Sequence, residues 1–117
     1  MKRSFYVAGV QFRPRHDIDS AVKLMNVGDQ LGLVPEPKNK FDPNAVKIIA
    51  EIEKEEYFLG YVPKKFSSEI SALMEIGGEL KCVVEAVNPD AKAWEKIKVA
   101  IIDEEEAESY IEEEDVI

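Results

Sequence analysis

Two side chains of the types used in nucleophilic catalysis occur once each, Cys82 and His16. They lie far apart in the sequence, and a nucleophile requires a base within hydrogen-bonding reach. Alternation along the chain places Cys82 on the same strand face as Leu80 and Val84, which is typical of a buried, inert thiol. We therefore expect no catalytic residues and no internal disulfide, and a lone thiol suits a reducing cytoplasm.

The ligands and motifs of metal and phosphate chemistry are sparse. One cysteine and one histidine are too few soft ligands for a zinc site within one chain. No glycine-rich phosphate-binding motif occurs, and the dense group of carboxylates lies at the C-terminal end rather than on the predicted strands. We expect no cofactor and no metal, and a metal-dependent nuclease is the least favoured function.

Basic side chains occur at two places where an anion could bind. Lys64 and Lys65 follow Pro63, a residue that favours the first turn of a helix. The helix dipole disfavours cations in that turn by about 0.3–1 kcal/mol, so a bound anion would relieve the strain; the alternative is that both lysines are solvated surface charges. Arg13 and Arg15 could guide a nucleic-acid backbone, although a solubilising role in a surface loop is the expected one.

These side chains must be positioned by a mainly β chain. Strand-forming residues alternate in short runs, and two segments carry apolar residues at helical spacing. The predicted strands cover residues 4–12, 31–35, 45–52, 57–62, 80–86 and 97–101, and the predicted helices run from a cap at Asp17 or Asp19 to Met25 and from Pro63 to Gly77. This order predicts a mainly β (α+β) domain, a small OB-like, partly open β-barrel of five to six antiparallel strands with two helices.

The charge is divided unequally along the chain. The net charge is −9, and residues 103–117 hold nine of the 24 acidic residues without a lysine or arginine. The first 102 residues therefore carry 15 acidic and 15 basic side chains. We expect a neutral folded domain over 1–102 and an acidic tail over 103–117 that could compete with phosphate or bind a protein partner. No apolar run reaches the roughly 20 residues that span a bilayer, so no membrane association is expected.

Three stretches of the sequence stand out together: FYVAGVQF at 5–12, LVPEPKNKFDPNAVKI at 33–48 and LGYVPKKF at 59–66. Their ordered combination resembles the HIRAN domain, a module found at the N-termini of fork-remodelling helicases and as a stand-alone small protein. The elements G-V-Q, E-P-x-N-x-F-D-P-N-A-V and L-G-Y-V-P lie between residues 9 and 63, and the resemblance covers about residues 4–86. The resemblance implies an OB-like barrel that binds single-stranded DNA and, in the helicase members, captures its 3′ end, in DNA repair or replication restart.

The resemblance also implies roles for individual residues. Tyr6 and Phe41 match the aromatic positions that stack on terminal bases, and Asp42 matches the aspartate that accepts a hydrogen bond from the terminal 3′-hydroxyl. Lys64 matches the lysine that meets a phosphate, and Tyr61 stands where the helicase member has a polar ring. Phe41 replaces a tyrosine of the helicase member, which keeps the stacking face and loses a hydroxyl.

Each of these roles has a structural alternative. Phe41 could close the barrel mouth, and Tyr6 could pack within its strand. Asp42 and Asn44 could serve only as Asx-turn residues that hold the loop. Trp94 is expected to pack at a turn or a strand start.

Two functions of different classes follow from the sequence. The first is a non-catalytic module that binds single-stranded DNA ends, and the second is a protein-interaction or regulatory domain that acts through the acidic tail. The sequence leaves the oligomeric state open. The predicted DNA-binding residues are Tyr6, Phe41, Asp42, Asn44, Tyr61, Lys64 and Lys65.

Overall fold

The computed structural model describes residues 1–103 of the chain. Within this range six antiparallel strands and two α-helices form one body, which confirms the predicted mainly β class. The strands are β1 (Lys2–Tyr6), β2 (Gln30–Pro35), β3 (Val46–Ile52), β4 (Glu55–Tyr61), β5 (Leu80–Val87) and β6 (Ile97–Asp103). The α-helices are α1 (Arg15–Leu24) and α2 (Lys64–Glu75), and single turns of 3₁₀-helix lie at Val10–Phe12 and Ala93–Glu95.

The sheet forms a partly open barrel. Its strand order is β1-β6-β5-β2-β3-β4, so β1 and β4 are the edges. The edges meet at an isolated bridge in which Ala8 and Tyr61 exchange backbone hydrogen bonds of 2.9 and 2.8 Å. Helix α2 also reaches β1, since Phe66 stacks on Phe5 with ring centroids 5.6 Å apart. The structure therefore confirms the OB-like, partly open barrel.

Gly60 makes the contact between the two barrel edges possible. Its φ is +149°, and a Cβ built on it would lie 2.2 Å from the carbonyl oxygen of Ala8 and 2.9 Å from Val7 Cγ1. Glycine is therefore required here both by backbone conformation and by the close approach of a second chain segment. This agrees with the sequence pattern, in which a glycine inside a strand predicts a close backbone approach.

One apolar core fills the barrel. It takes residues from every strand and from both helices, and each of the largest is almost completely inaccessible to solvent. The largest fully buried apolar side chains are Val7, Val46, Ile48, Leu59, Ile70, Cys82, Val84, Ile97, Val99 and Ile101. Burial raises the pKa of the Cys82 thiol to about 12, so the expectation of an inert cysteine is confirmed.

The first strand is shorter than predicted. Regular pairing of β1 ends at Tyr6, and Gly9 takes a left-handed conformation with φ +75° before the first 3₁₀ turn. Helix α1 then begins behind Pro14 without a side-chain cap, so the predicted capping role of Asp17 or Asp19 is wrong. A proline at that position already fixes φ near the helical value, and no capping side chain is needed to set the direction of the chain.

Two connections also differ from the predicted turns. The turn between β3 and β4 consists of Glu53 and Lys54, both at positive φ (53° and 71°), rather than of four charged residues. Residues 88–96 connect β5 to β6, and besides the turn that the sequence indicates at Asn88, Pro89 and Asp90 they include the second 3₁₀ turn. The alternation of apolar and polar residues predicted the flanking strands correctly, but it carries little information on the length of the loops between them.

The predicted boundary at residue 103 falls inside a strand. Asp103 is the last residue of β6, and its carboxylate accepts a hydrogen bond of 2.9 Å from the amino group of Met1. The rest of the predicted acidic tail, residues 104–117, lies outside the described residues. In the described range, neither helix is long and apolar enough to cross a membrane.

Candidate functional site

The loop between β2 and β3 is held in shape by its own polar side chains. Asn39 Oδ1 accepts hydrogen bonds from the amides of Phe41 (2.9 Å) and Asp42 (3.1 Å). Asp42 Oδ1 accepts one from the amide of Asn44 (2.8 Å), and the Glu36 amide donates to the carbonyl of Ala45 (2.8 Å), which joins the two ends of the loop. Asp42 therefore fills the expected Asx-turn role, to which Asn44 contributes its backbone amide.

Asp42 is also attached to helix α2. The hydroxyl of Ser67 donates to Asp42 Oδ2 over 2.8 Å, and Ser67 is only 2% exposed. The carboxylate is thus held from two sides, by the loop at one oxygen and by the helix at the other. A carboxylate has about four lone-pair positions, so two remain for a ligand.

The same loop is attached to β4 through Tyr61. The Tyr61 hydroxyl donates to Glu36 Oε1 over 2.8 Å, and Asn39 Nδ2 donates to the same oxygen over 3.1 Å. The hydrogen bond from Tyr61 holds the pKa of Glu36 below its ordinary value, with smaller contributions from Asn39 and from the charges of Lys47 and Arg13. Burial, followed by the hydrogen bond to Glu36, raises the pKa of Tyr61. The pair is therefore a phenol donating to an ionised carboxylate at neutral pH.

The two predicted stacking rings are exposed. Phe41 is 90% exposed, so the alternative that it closes the barrel mouth is wrong. Tyr6 is 40% exposed at the end of β1, with Lys98 Nζ 6.0 Å from its ring centroid. Both rings therefore present area that a flat ligand could cover. Trp94 was also expected to pack, but about half of its side chain is exposed (54%) on the second 3₁₀ turn, so this prediction is wrong.

Hydrogen bonds connect the three segments that carry the sequence motifs. The bridge between Ala8 and Tyr61 joins the segment of Tyr6 to β4, and Tyr61 then holds Glu36 at the start of the loop. From the loop, Asp42 is bonded to Ser67 in α2. The structure thus brings the loop, the end of β4 and the first turn of α2 together. The segment of Tyr6 is joined to them by the bridge and by the stacking of Phe5 on Phe66.

Exposed lysines flank this network on both sides. Lys64 and Lys65 are exposed in the first turn of α2, and Lys65 Nζ lies 5.4 Å from the ring centroid of Phe66. Lys38 and Lys40 are exposed in the loop. The folded body is nearly neutral in sum, but four cations lie on the two segments that Asp42 and Ser67 join.

A cluster of two cations on one ring was missed by sequence reasoning. The guanidinium of Arg13 lies 4.0 Å from the ring centroid of Phe58, and Lys47 Nζ lies 4.4 Å from it. Phe58 in turn meets Tyr61 edge to face, with centroids 5.3 Å apart. Arg13 is therefore half-buried against β4 rather than a simple solubilising charge, and cation–π contacts of this kind are made between residues remote in sequence.

Ser67 was also missed, although the sequence contains a signal for it. It precedes Ile70 by three residues, which places a hydroxyl on the apolar face of α2. Buried hydroxyls are almost always hydrogen-bonded, so a polar residue on that face predicts a partner from another element. The sequence could not identify Asp42 as the partner because it lies 25 positions away.

The arrangement is suited to binding. Among residues 1–103 no group of three or more histidine, cysteine, aspartate or glutamate side chains could hold a metal ion. The fold and the site together define a small β-barrel ligand-binding module with an aromatic-tipped loop beside one barrel edge. Residues 3–104 match the family model of the HIRAN domain, and the chain belongs to the HIRAN domain family. Membership of this family supports a nucleic-acid-binding module in general.

Two solved structures share the fold. A protein from Lactobacillus plantarum, solved as a structural genomics target, superposes with a TM-score of 0.69 at 20% identity, over 86% of this chain and 95% of that one. The HIRAN domain of human HLTF superposes with a TM-score of 0.63 at 16% identity, over 92% of this chain and 81% of that one. These superpositions establish a common architecture. The comparison with curated proteins found no significant match.

Proposed function

We propose that this chain is a non-catalytic module that binds single-stranded DNA and captures its 3′ end. The observation that carries the proposal is that an exposed aromatic ring and a fixed carboxylate are adjacent residues in the loop between β2 and β3. Phe41 presents a ring that is 90% exposed, and the adjacent Asp42 carboxylate is held in place by Asn44 and Ser67. A ring this exposed, beside a carboxylate whose position is fixed, is available to stack on a flat group of a ligand.

The aromatic rings would supply affinity that does not depend on sequence. Stacking an unpaired base on an aromatic side chain is worth about 1–3 kcal/mol, and every base has a face that can stack. Phe41 and Tyr6 are both exposed and lie on segments joined through the Ala8–Tyr61 bridge. Two rings of this kind could hold two terminal nucleotides.

The carboxylate would supply the preference for an end. Asp42 has free lone-pair positions that accept a hydrogen bond from a 3′-hydroxyl, whereas a phosphate there would be repelled. The exposed lysines of the loop and of α2 would meet the phosphates that lie further along the strand. An internal position of a strand offers no free hydroxyl, so the carboxylate would discriminate against it.

The proposal is tested by titrating the protein into two fluorescent single-stranded oligonucleotides at low salt. They have the same sequence and differ only at the 3′ terminus, which is a free hydroxyl in one and a phosphate in the other. We expect tighter binding to the free hydroxyl, by about tenfold or more, because a hydrogen bond to a charged group is gained and a repulsion is avoided. Fluorescence anisotropy gives both dissociation constants.

A third oligonucleotide labelled at the 3′ end, with a free 5′-hydroxyl, controls for the label and for the opposite end. Equal affinity for the three oligonucleotides would mean that the protein binds single-stranded DNA but does not capture its 3′ end. Absence of binding to all of them would refute DNA binding by this site and direct attention to a protein partner. Incubation with magnesium or manganese in the same assay reports any cleavage, which the proposal expects to be absent.

A further inference from the structure

We infer that Ser67 is a positioning residue that fixes the Asp42 carboxylate and thereby sets the discrimination between 3′ termini. The inference rests on the proposed function, which it deepens by assigning the source of specificity to a helix that would not itself contact the terminal hydroxyl. Among the described residues Ser67 is the one polar side chain classed with the buried core, at 2% exposure. Its hydroxyl lies 2.8 Å from Asp42 Oδ2.

The Ser67 hydroxyl has two acceptors and one proton. Its Oγ is 2.8 Å from Asp42 Oδ2 and 3.2 Å from the carbonyl oxygen of Lys64 in the preceding helical turn. Serine inside a helix commonly bonds to such a carbonyl when no better partner is present. The shorter contact to a carboxylate indicates that the proton is directed to Asp42, because hydrogen bonds to ionised acceptors are shorter and stronger.

The position of Ser67 links the two charged parts of the proposed site. Through Asp42 it holds the loop, and through its own backbone it belongs to the turn of α2 that carries Lys64 and Lys65. The Asn44 amide holds the other carboxylate oxygen. The carboxylate cannot turn away without breaking one of these bonds. A terminal phosphate would therefore meet a carboxylate that is prevented from moving aside.

Removal of the hydroxyl would free the carboxylate to rotate. In Ser67→Ala, Asp42 keeps its bond to the Asn44 amide but loses the bond to the helix. It can then reorient toward solvent when a 3′-phosphate is present, so binding of the phosphate-ended strand improves relative to the hydroxyl-ended strand. The ratio of the dissociation constant of the phosphate-ended strand to that of the hydroxyl-ended strand is therefore expected to fall at least about fivefold.

The test is a double-mutant cycle on that ratio. The proteins are wild type, Ser67→Ala, Asp42→Asn and the double variant, with Ser68→Ala as a matched control on the exposed side of the same helix. Unfolding in urea establishes that each variant is folded. If Ser67 acts through Asp42, Ser67→Ala lowers the ratio in the wild-type background and has no further effect beside Asp42→Asn, and Ser68→Ala leaves it unchanged.

A purely structural role for Ser67 gives a different result. It would weaken binding of both oligonucleotides equally and leave their ratio unchanged, which would overturn the inference while the proposed function stands. A wild-type protein that does not distinguish the two ends would instead refute the proposed end capture.

If the wild-type protein does not distinguish the two ends, hydrogen exchange of the Asp42 and Asn44 amides, measured without DNA, tests whether Ser67 holds Asp42 in position. Faster exchange of these amides in Ser67→Ala than in Ser68→Ala supports the positioning role. Equal exchange in the two variants overturns it.

Discussion

At the scale of single residues, Phe41 and Asp42 are neighbours with opposite surroundings. The ring of Phe41 lies almost entirely in solvent, whereas the carboxylate of Asp42 is bonded to both the loop and a helix. An exposed ring contributes little to folding, because burial of apolar area is what stabilises the core. Removal of the ring should therefore change binding and leave stability nearly unchanged.

We predict that Phe41→Ala weakens binding of single-stranded DNA at least tenfold. The loss corresponds to one base-stacking contact of about 1–3 kcal/mol. Phe41→Tyr should bind like wild type because it keeps the stacking face. Anisotropy titration measures the dissociation constants, and urea unfolding should give a free energy within about 0.5 kcal/mol of wild type.

Phe12 provides the matched control, because it is a phenylalanine with 75% exposure on the first 3₁₀ turn, outside the hydrogen-bond network of the loop. Phe12→Ala removes the same chemical group from the surface. If Phe41→Ala binds as tightly as Phe12→Ala and wild type, the ring does not stack on the ligand.

The sequence indicates the exposed residues of the candidate site more directly than the residues that hold them in place. Tyr6, Phe41 and Asp42 belong to contiguous motifs that can be read directly, and the Asx-turn chemistry of Asp42 depends on residues two or three positions away. Ser67 and Arg13 act through partners in other elements. Sequence patterns report local periodicity and turn chemistry, and they do not report which surfaces meet after folding.

At the scale of secondary structure elements, the strand and helix patterns gave the architecture and missed its connections. The alternating residues of β5 and β6 predicted both strands correctly. The two-residue turn at Glu53 and Lys54 was unexpected because residues other than glycine, asparagine and aspartate rarely take positive φ. The short helical turn around Trp94 has too few residues to show a period. Each miss lies where the chain lacks a repeating pattern.

The contact between the barrel edges yields a prediction on stability. Gly60→Ala should lower the free energy of unfolding by more than about 2 kcal/mol, because φ +149° is strained for alanine and the new Cβ would collide with the Ala8 carbonyl. Urea unfolding measures the change. Gly32→Ala is the control, since an added Cβ there would make ordinary contacts, the nearest at 3.6 Å to the Ile49 carbonyl oxygen.

A loss of stability in Gly60→Ala no larger than in Gly32→Ala would mean that the two edges separate without cost. In that case the bridge between Ala8 and Tyr61 would not link the segment of Tyr6 to the loop. The segment of Tyr6 would then be connected to the site through the stacking of Phe5 on Phe66.

The link between β4 and the loop yields a prediction on pH. Tyr61→Phe removes the hydrogen bond to Glu36 and should destabilise the fold at pH 7 by about 0.5–1.5 kcal/mol, because solvent reaches both partners and weakens their interaction. Because the pKa of Glu36 is lowered in the folded state, the stabilisation is present above its unfolded value near 4.5 and is lost as the pH falls through the folded value. The difference between wild type and Tyr61→Phe should therefore shrink as the pH falls below about 4.5 and through the lowered pKa of Glu36 in the folded protein.

Urea unfolding at a series of pH values measures this difference, and subtraction of the two proteins removes the titration of the other carboxylates. Tyr57→Phe is the control, since Tyr57 hydrogen-bonds to Glu55 near the opposite end of the same strand. A Tyr61→Phe effect that does not change with pH would show that the ionised form of Glu36 is not the favoured partner.

At the scale of the whole molecule, most of the net negative charge lies in the last 14 residues of the sequence. Residues 104–117 contain eight of the 24 acidic residues and no basic ones, so residues 1–103 carry 16 acidic and 15 basic side chains. Asp103 belongs to β6 and bonds to the amino group of Met1, so a deletion that preserves the barrel begins at residue 104. The net charge changes from −9 to −1 in such a deletion.

We predict that deletion of residues 104–117 strengthens binding of single-stranded DNA at low salt and has little effect at high salt. A segment of charge −8 repels phosphates and competes for lysines, and this interaction is screened as the Debye length falls from about 30 Å at 0.01 M salt to about 3 Å at 1 M. Anisotropy titrations of both proteins from about 20 to about 500 mM salt, which lies within this range of screening, should give affinities that converge as salt rises. A deletion that weakens DNA binding at every salt concentration would instead mean that the segment contributes to the DNA interface.

Unchanged DNA affinity at every salt concentration would show that the segment does not compete with DNA. If the deletion then abolishes binding of a protein partner, the segment has a separate role in that interaction.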